Sequence, residues 1–174
     1  MEGSGIPGII ETPRLLLRPF RLGDVEEVFA YARDPEWSRF LRALPSPYDV
    51  VHAEQFVARQ VLLDRAVHPT WAITRDGVVI GGLNLRFERG HRSAEIGYSV
   101  ARPHWGRGLC TEAGRAVVDA AFRACKDLLR LQARADVHNG ASQRVMEKLG
   151  MVREGVLRSN RVEGGQAIDD AVYS

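Results

Sequence analysis

Lysine is nearly absent from this chain: of 24 basic residues only Lys126 and Lys148 are lysines, and 22 are arginines. Against 22 acidic residues this leaves a net charge of +2, and neither sign gathers into a tail or stripe of the kind that tracks nucleic acid. Cysteine is scarce too. Cys110 and Cys125 form no Cys-x-x-Cys pair, which argues against a disulfide framework and a zinc site and suits a cytoplasmic location. The five histidines, at 52, 68, 91, 104 and 138, show no ligand spacing, so no metal is expected. No apolar run approaches the ~20 residues of a membrane span, and the N-terminus lacks a cationic region followed by an apolar core. Neither a membrane nor a nucleic acid is an expected partner.

What is present suffices for one packed domain. At 174 residues, 45% hydrophobic and 26% charged, the chain can bury a core, and residues 10–174 are read as a single domain behind a flexible leader at 1–9. Leu15 and Leu17 before Pro19 predict an opening strand. Asp24 and Glu27 have capping-box spacing ahead of a helix through Val25, Val28, Phe29 and Ala32. A second helix is predicted from Asp49 to Arg65, with Phe56, Val57 and Val61 inward. Asp76-Gly77 between two apolar runs predicts a hairpin, whose second strand runs to about Phe87 before a turn at Arg89-Gly90-His91-Arg92.

Further on, a strand from Ala94 to Val100 leads into a helix carrying Ala113, Ala116, Val117, Ala120 and Ala121. Leu129, Leu131, Ala133, Ala135 and Val137 then alternate with polar residues, the clearest period-two pattern in the chain. A short helix with Val145, Met146 and Leu149 on one side ends at Gly150. Strands from Met151 to Arg158 and on to Ser174, joined through Glu163-Gly164-Gly165, complete a mixed α/β (α+β) order.

The junction Arg102-Pro103-His104-Trp105-Gly106-Arg107-Gly108-Leu109-Cys110-Thr111-Glu112-Ala113 carries the strongest functional signal. Two glycines follow a strand and open a helix, so the backbone N–H groups from Gly106 to Thr111 can converge on an anion at the positive helix end. Thr111 stands where a dinucleotide fingerprint needs its third glycine, and no Gly-Lys-Ser/Thr tripeptide occurs anywhere. Neither common nucleotide motif is completed; the alternative is a tight turn that binds nothing.

The segment resembles the coenzyme-A pyrophosphate loop of the GNAT superfamily of N-acetyltransferases, Gln/Arg-x-x-Gly-x-Gly/Ala, with Trp105 in the first place, Gly108 as the glycine and Cys110 as the final small residue. Tryptophan departs from the usual Gln or Arg but is common in the RimJ/RimL branch, which acetylates N-terminal amines of ribosomal proteins. The resemblance continues through Glu11-Thr-Pro-Arg-Leu-Leu-Leu-Arg-Pro-Phe20, Ala94-Glu-Ile-Gly-Tyr98, Asn139-Gly-Ala-Ser142 and Glu147-Lys-Leu-Gly-Met-Val-Arg-Glu-Gly155. It implies the GNAT fold: a central, mostly antiparallel twisted sheet flanked by helices, with a splay between two neighbouring strands, here Ala94–Ala101 and Leu129–Val137. The same resemblance sets the chain's end against a completing last strand, with a truncation or a short tail as alternatives.

The family chemistry places residues accordingly. An acetyl thioester must be held, met by a neutral amine and relieved of its thiolate. The resemblance implies that the backbone of Ser99, Val100 and Ala101 pairs with the pantetheine arm, with an N–H near Val100 polarising the thioester carbonyl. It also implies that Trp105, Gly106, Arg107, Gly108, Leu109, Cys110 and Thr111 surround the diphosphate, that Asn139 contacts pantetheine, and that Ser142 binds there and protonates the leaving thiolate. Ordinary capping by Asn139 and Ser142 is the alternative. Glu95 is the candidate general base, or else an arginine-paired strand residue.

Cys110 reads as a small loop residue rather than a nucleophile, and His104 as a residue near the phosphates or on the surface. Trp37, Phe40, Tyr48 and Phe56 read as core, or as the acceptor's entrance. An α-amine, with a pKa of about 8 against about 10.4 for lysine, needs less help to become neutral, which favours a protein or peptide N-terminus as acceptor. A small-molecule amine (polyamine, amino acid, antibiotic) and a non-catalytic acyl-CoA-binding domain are the alternatives. The expected assembly is a monomer or homodimer with acetyl-CoA as co-substrate and no metal.

Overall fold

In the computed structural model, residues 5–41, 44–88 and 92–174 are described. The strands among them are β1 (Ile10–Glu11), β2 (Leu16–Arg18), β3 (Thr70–Arg75), β4 (Val78–Glu88), β5 (Ser93–Val100), β6 (Arg130–Asp136), β7 (Arg153–Glu163) and β8 (Gln166–Tyr173). They lie in the order β1-β2-β3-β4-β5-β6-β8-β7, antiparallel throughout except for the parallel pair β5·β6. The helices are α1 (Val25–Ala32), α2 (Pro35–Ser38), α3 (Val50–Leu62), α4 (Leu109–Ala124) and α5 (Gly140–Lys148). This is the mixed α/β architecture that the alternation of periods predicts.

The pleat of β3 divides the core. Trp71 and Ile73 belong to a cluster with Leu85, Ile96, Val117, Ala121 and Met146 under α4 and α5, whereas Ala72 joins Phe20, Val28, Ala53 and Val57 under α1 and α3. The β3–β4 hairpin turns at Asp76 and Gly77, whose φ angles of 52° and 83° meet the positive-φ demand of a two-residue turn. Beyond it β4 presses on β5: a Cβ at Gly81 would collide with the Ser99 carbonyl and lie 2.8 Å from Val100 Cα.

Several local expectations give way to tertiary contacts. The Asp24 side chain does not cap α1; it is buried, takes two bonds from Arg18 (2.9 and 2.7 Å) and accepts from the Arg21 N–H (2.8 Å) at the start of the 3-10 turn Leu22–Asp24. A buried guanidinium outcompetes a helix N–H for a carboxylate. Helix α3 stops at Leu62 rather than Arg65, and Val61 is exposed while Ala53 and Val57 face inward. Leu129 precedes its strand and is exposed, whereas Leu131, Ala133 and Ala135 keep the buried phase. Strand β7 runs on to Glu163. Of the 1–9 segment, Ile6 is buried in the larger core and the Pro7 carbonyl accepts from Trp71 Nε1 at 3.1 Å. The turn expected at 89–92 lies, except for Arg92, outside the described residues.

Candidate active site

Strands β5 and β6 begin as a paired couple and then part. Ser93, Ala94 and Glu95 register with Arg130, Leu131 and Gln132, and there the pairing ends. From that point β6 pairs with β8, from Ala133 opposite Tyr173 to Asp136 opposite Asp170, while β5 stays paired with β4 as far as Val100. The Ala101 N–H donates to the Ile80 carbonyl at 2.7 Å, which sets the phase of the β4·β5 ladder. Alternate residues of an antiparallel pair turn their polar groups away from the partner, so the backbone groups of Ile96, Tyr98 and Val100 face the gap. Trp105 Nε1 takes the Val100 carbonyl (2.8 Å); the Val100 N–H points into the opening.

At the end of β5 the chain makes one 3-10 turn, Arg102–His104, and enters α4 through two left-handed glycines, Gly106 (φ 71°) and Gly108 (φ 75°). A Cβ at Gly106 would meet nothing within 4 Å, so positive φ, not crowding, calls for glycine. The first helical bond runs from the Glu112 N–H to the Gly108 carbonyl (3.0 Å), and no side chain caps the helix. The N–H groups of Leu109, Cys110 and Thr111 are therefore left without intrahelical partners at the positive end of a 16-residue helix. Such an end binds anions. Arg14 steadies it from outside through its bond to the Arg107 carbonyl (3.0 Å).

A cleft of about 450 Å³ joins the gap to this loop. Of the residues assigned to the coenzyme from the sequence, Ser99, Val100, Trp105, Gly106, Gly108, Leu109, Cys110, Thr111, Asn139 and Ser142 line it. Ala101 and Arg107 do not: Ala101 is buried against the α1/α3 side of the sheet, and the Arg107 side chain is exposed. Glu95 does not line it either. Its carboxylate is held by both Arg134 donors, by Arg86 (3.1 Å) and by Gln132 (3.4 Å), so the arginine-paired alternative is the one found.

Asn139 caps α5, accepting from the Ser142 N–H at 3.1 Å. Ser142 itself meets a residue that sequence reasoning passed over: Tyr98 Oη lies 2.9 Å from the Ser142 carbonyl and 3.1 Å from Ser142 Oγ. The two are 44 residues apart, and only the closure of α5 over the β5–β6 gap brings them together. Burial pushes the Cys110 thiol up to about 12, so at neutral pH it is no nucleophile. His104 lines the cleft with a buried Nδ1 that has no partner among the described residues; burial, then Arg107 and Arg75, lower its pKa and keep it neutral at pH 7. Within the aromatic cluster Trp37 and Phe40 line the cleft, and Trp37 also packs, with Tyr48 and Phe56, against the smaller core.

A family model of the acetyltransferase (GNAT) domain matches residues 14–152. The chain belongs to the GNAT acetyltransferase family. This GNAT chain is 33% identical over 171 residues to the uncharacterized N-acetyltransferase YoaA of Bacillus subtilis (strain 168), covering 95% of each. Its fold matches a GNAT-family acetyltransferase from Bacillus anthracis with a TM-score of 0.83 at 26% identity, over 95% of this chain and 96% of that one. RimL, the ribosomal L7/L12 α-N-protein acetyltransferase solved in complex with coenzyme A, shares the fold at the same TM-score, 22% identity and 95% and 96% coverage. The GNAT domain is thus an acyltransferase of the N-acetyltransferase type, and the parted strands and uncapped helix lie within the matched span. Among the described residues, no helix is long and apolar enough to cross a membrane.

Proposed function

We propose that this GNAT domain transfers the acetyl group of acetyl-CoA directly to a primary amine, and that the acceptor is the N-terminal α-amine of a protein or peptide. The observation that carries the donor assignment is the continuity of one cleft from the uncapped start of α4 to the parting of β5 and β6. The free N–H groups of Leu109, Cys110 and Thr111 suit a diphosphate, and the positive φ at Gly106 and Gly108 bares the backbone to it. The gap admits an extended arm, whose amides can pair with the inward-facing backbone of Tyr98 and Val100.

In this reading the Val100 N–H polarises the thioester carbonyl and Asn139 borders the arm. Ser142 donates to the departing thiolate, whose pKa of about 8.5 makes it a tolerable leaving group. Glu95 is left out of this reading, because two arginines engage its carboxylate and it is not among the residues that line the cleft. An acceptor amine that is substantially neutral near pH 8 needs no strong base, and an α-amine meets that condition where a lysine does not.

The test is thiol release from acetyl-CoA, followed with short peptides differing in their first residue and with polyamines, amino acids and aminoglycosides. Turnover restricted to peptide α-amines is expected. Turnover confined to a small amine would transfer the acceptor assignment to that class, and coenzyme binding with no release on any amine would point to a silent binding domain.

A further inference from the structure

Tyr98 reaches from β5 across the gap to the first turn of α5, and its single proton has two claimants there. The Ser142 carbonyl, 2.9 Å away, can only accept; Ser142 Oγ, 3.1 Å away, can donate or accept. While the phenol serves the carbonyl, the phenol oxygen is free to accept the serine proton. Once the phenol serves Oγ instead, the serine proton is released toward the cleft that both side chains line. The heavy atoms need not move between the two patterns. Burial raises the phenol's pKa, so the proton stays on Tyr98 at working pH.

We infer that Tyr98 is the positioning residue of Ser142: its phenol seats the serine hydroxyl at the parted strands and, by turning its own O–H to Oγ, directs the serine O–H onto the sulfur that leaves. This rests on the acetyl-transfer reading above. When the tetrahedral adduct collapses, the C–S bond breaks and its electron pair goes to sulfur. The acylated nitrogen gives its proton to water, and Ser142 stabilises the thiolate by a hydrogen bond while keeping its proton. Tyr98 stays neutral throughout. A chain of two hydroxyls polarises its last donor more than a lone serine does.

Tyr98→Phe removes one oxygen and keeps the ring, so the packing survives. It is expected to lower kcat about tenfold while KM for acetyl-CoA stays within about twofold. Ser142→Ala should lower kcat at least as much, and the double variant no further than Ser142→Ala alone, because the phenol acts through the serine. A second readout needs no turnover: wild-type affinity for free coenzyme A, measured by calorimetry from pH 7 to 10, should tighten as the thiol ionises near about 8.5, and Tyr98→Phe should blunt that rise. A wild type that binds coenzyme A but acetylates no amine would overturn the transfer reading. A wild type that turns over, with Tyr98→Phe matching its kcat and pH profile or with losses that add in the double variant, would overturn the role of Tyr98 alone.

Discussion

Arg14 and Glu112, 98 residues apart, are clamped together: Arg14 Nε donates to Glu112 Oε2 at 2.6 Å and its backbone N–H to Oε1 at 3.0 Å. Thr12 Oγ1 adds a third bond at 2.7 Å. The contact fastens the segment before β2 to the first turn of α4, beside the glycine loop, where a carboxylate also complements the helix dipole.

Stability should follow the ionisation of Glu112. Burial alone would raise its pKa, but the Thr12 and Arg14 bonds outweigh burial and hold it below the usual carboxylate value. A native pKa lowered in this way adds stability above the unfolded value, about 4.3, that is lost as pH falls through the native one. Glu112→Gln should cost about 1 kcal/mol at pH 7, the half-exposed Arg14 being screened by solvent. The gap between variant and wild type in urea denaturation should narrow below pH 4; parallel curves from pH 7 to 3 would refute the linkage.

Gly81→Ala tests how closely β4 must approach β5. The new methyl would strike the Ser99 carbonyl, which is backbone and cannot swing aside, so a loss of about 3 kcal/mol is expected. Gly155→Ala, where nothing lies within 4 Å, should change stability by less than about 0.5 kcal/mol. Equal melting temperatures for the two variants would contradict the close approach.

Gly108→Val puts a β-branched residue at φ 75°. The cost is about 1–3 kcal/mol of strain, or a loop that relaxes and withdraws its N–H groups. Acetyl-CoA affinity by calorimetry should fall about tenfold or more. Unchanged affinity would detach this loop from the coenzyme.

Glu95→Gln should weaken the fold more than the chemistry. Its carboxylate answers Arg86 and Arg134 across three adjacent strands, so the expected loss is about 1–2 kcal/mol in denaturant unfolding, with kcat within about threefold of wild type. A hundredfold fall in kcat with stability intact would restore it as a base.

Local pattern carried far in this chain. The φ demands of Asp76-Gly77 and of the two loop glycines are properties of a few consecutive residues, as is the period of β6, so the hairpin, the strand-to-helix corner and most of the residues that line the cleft were legible in the sequence. Side-chain partners were not. Asp24 has the spacing of a helix cap, yet Arg18 takes it; Glu95 has the chemistry of a base, yet arginines from two other strands consume it; Tyr98 reads as one more strand aromatic until α5 sets Ser142 against it.

By itself the sequence determined the order of elements and the two-glycine corner that opens α4, because these follow from backbone constraints and periodicities that act over a few residues, and its motifs carried the resemblance to the family. Which polar groups meet was decided only by the tertiary structure. Pairing energies depend on distance and burial, and those arise only when strands remote in sequence are laid side by side and then, past Glu95 and Gln132, drawn apart.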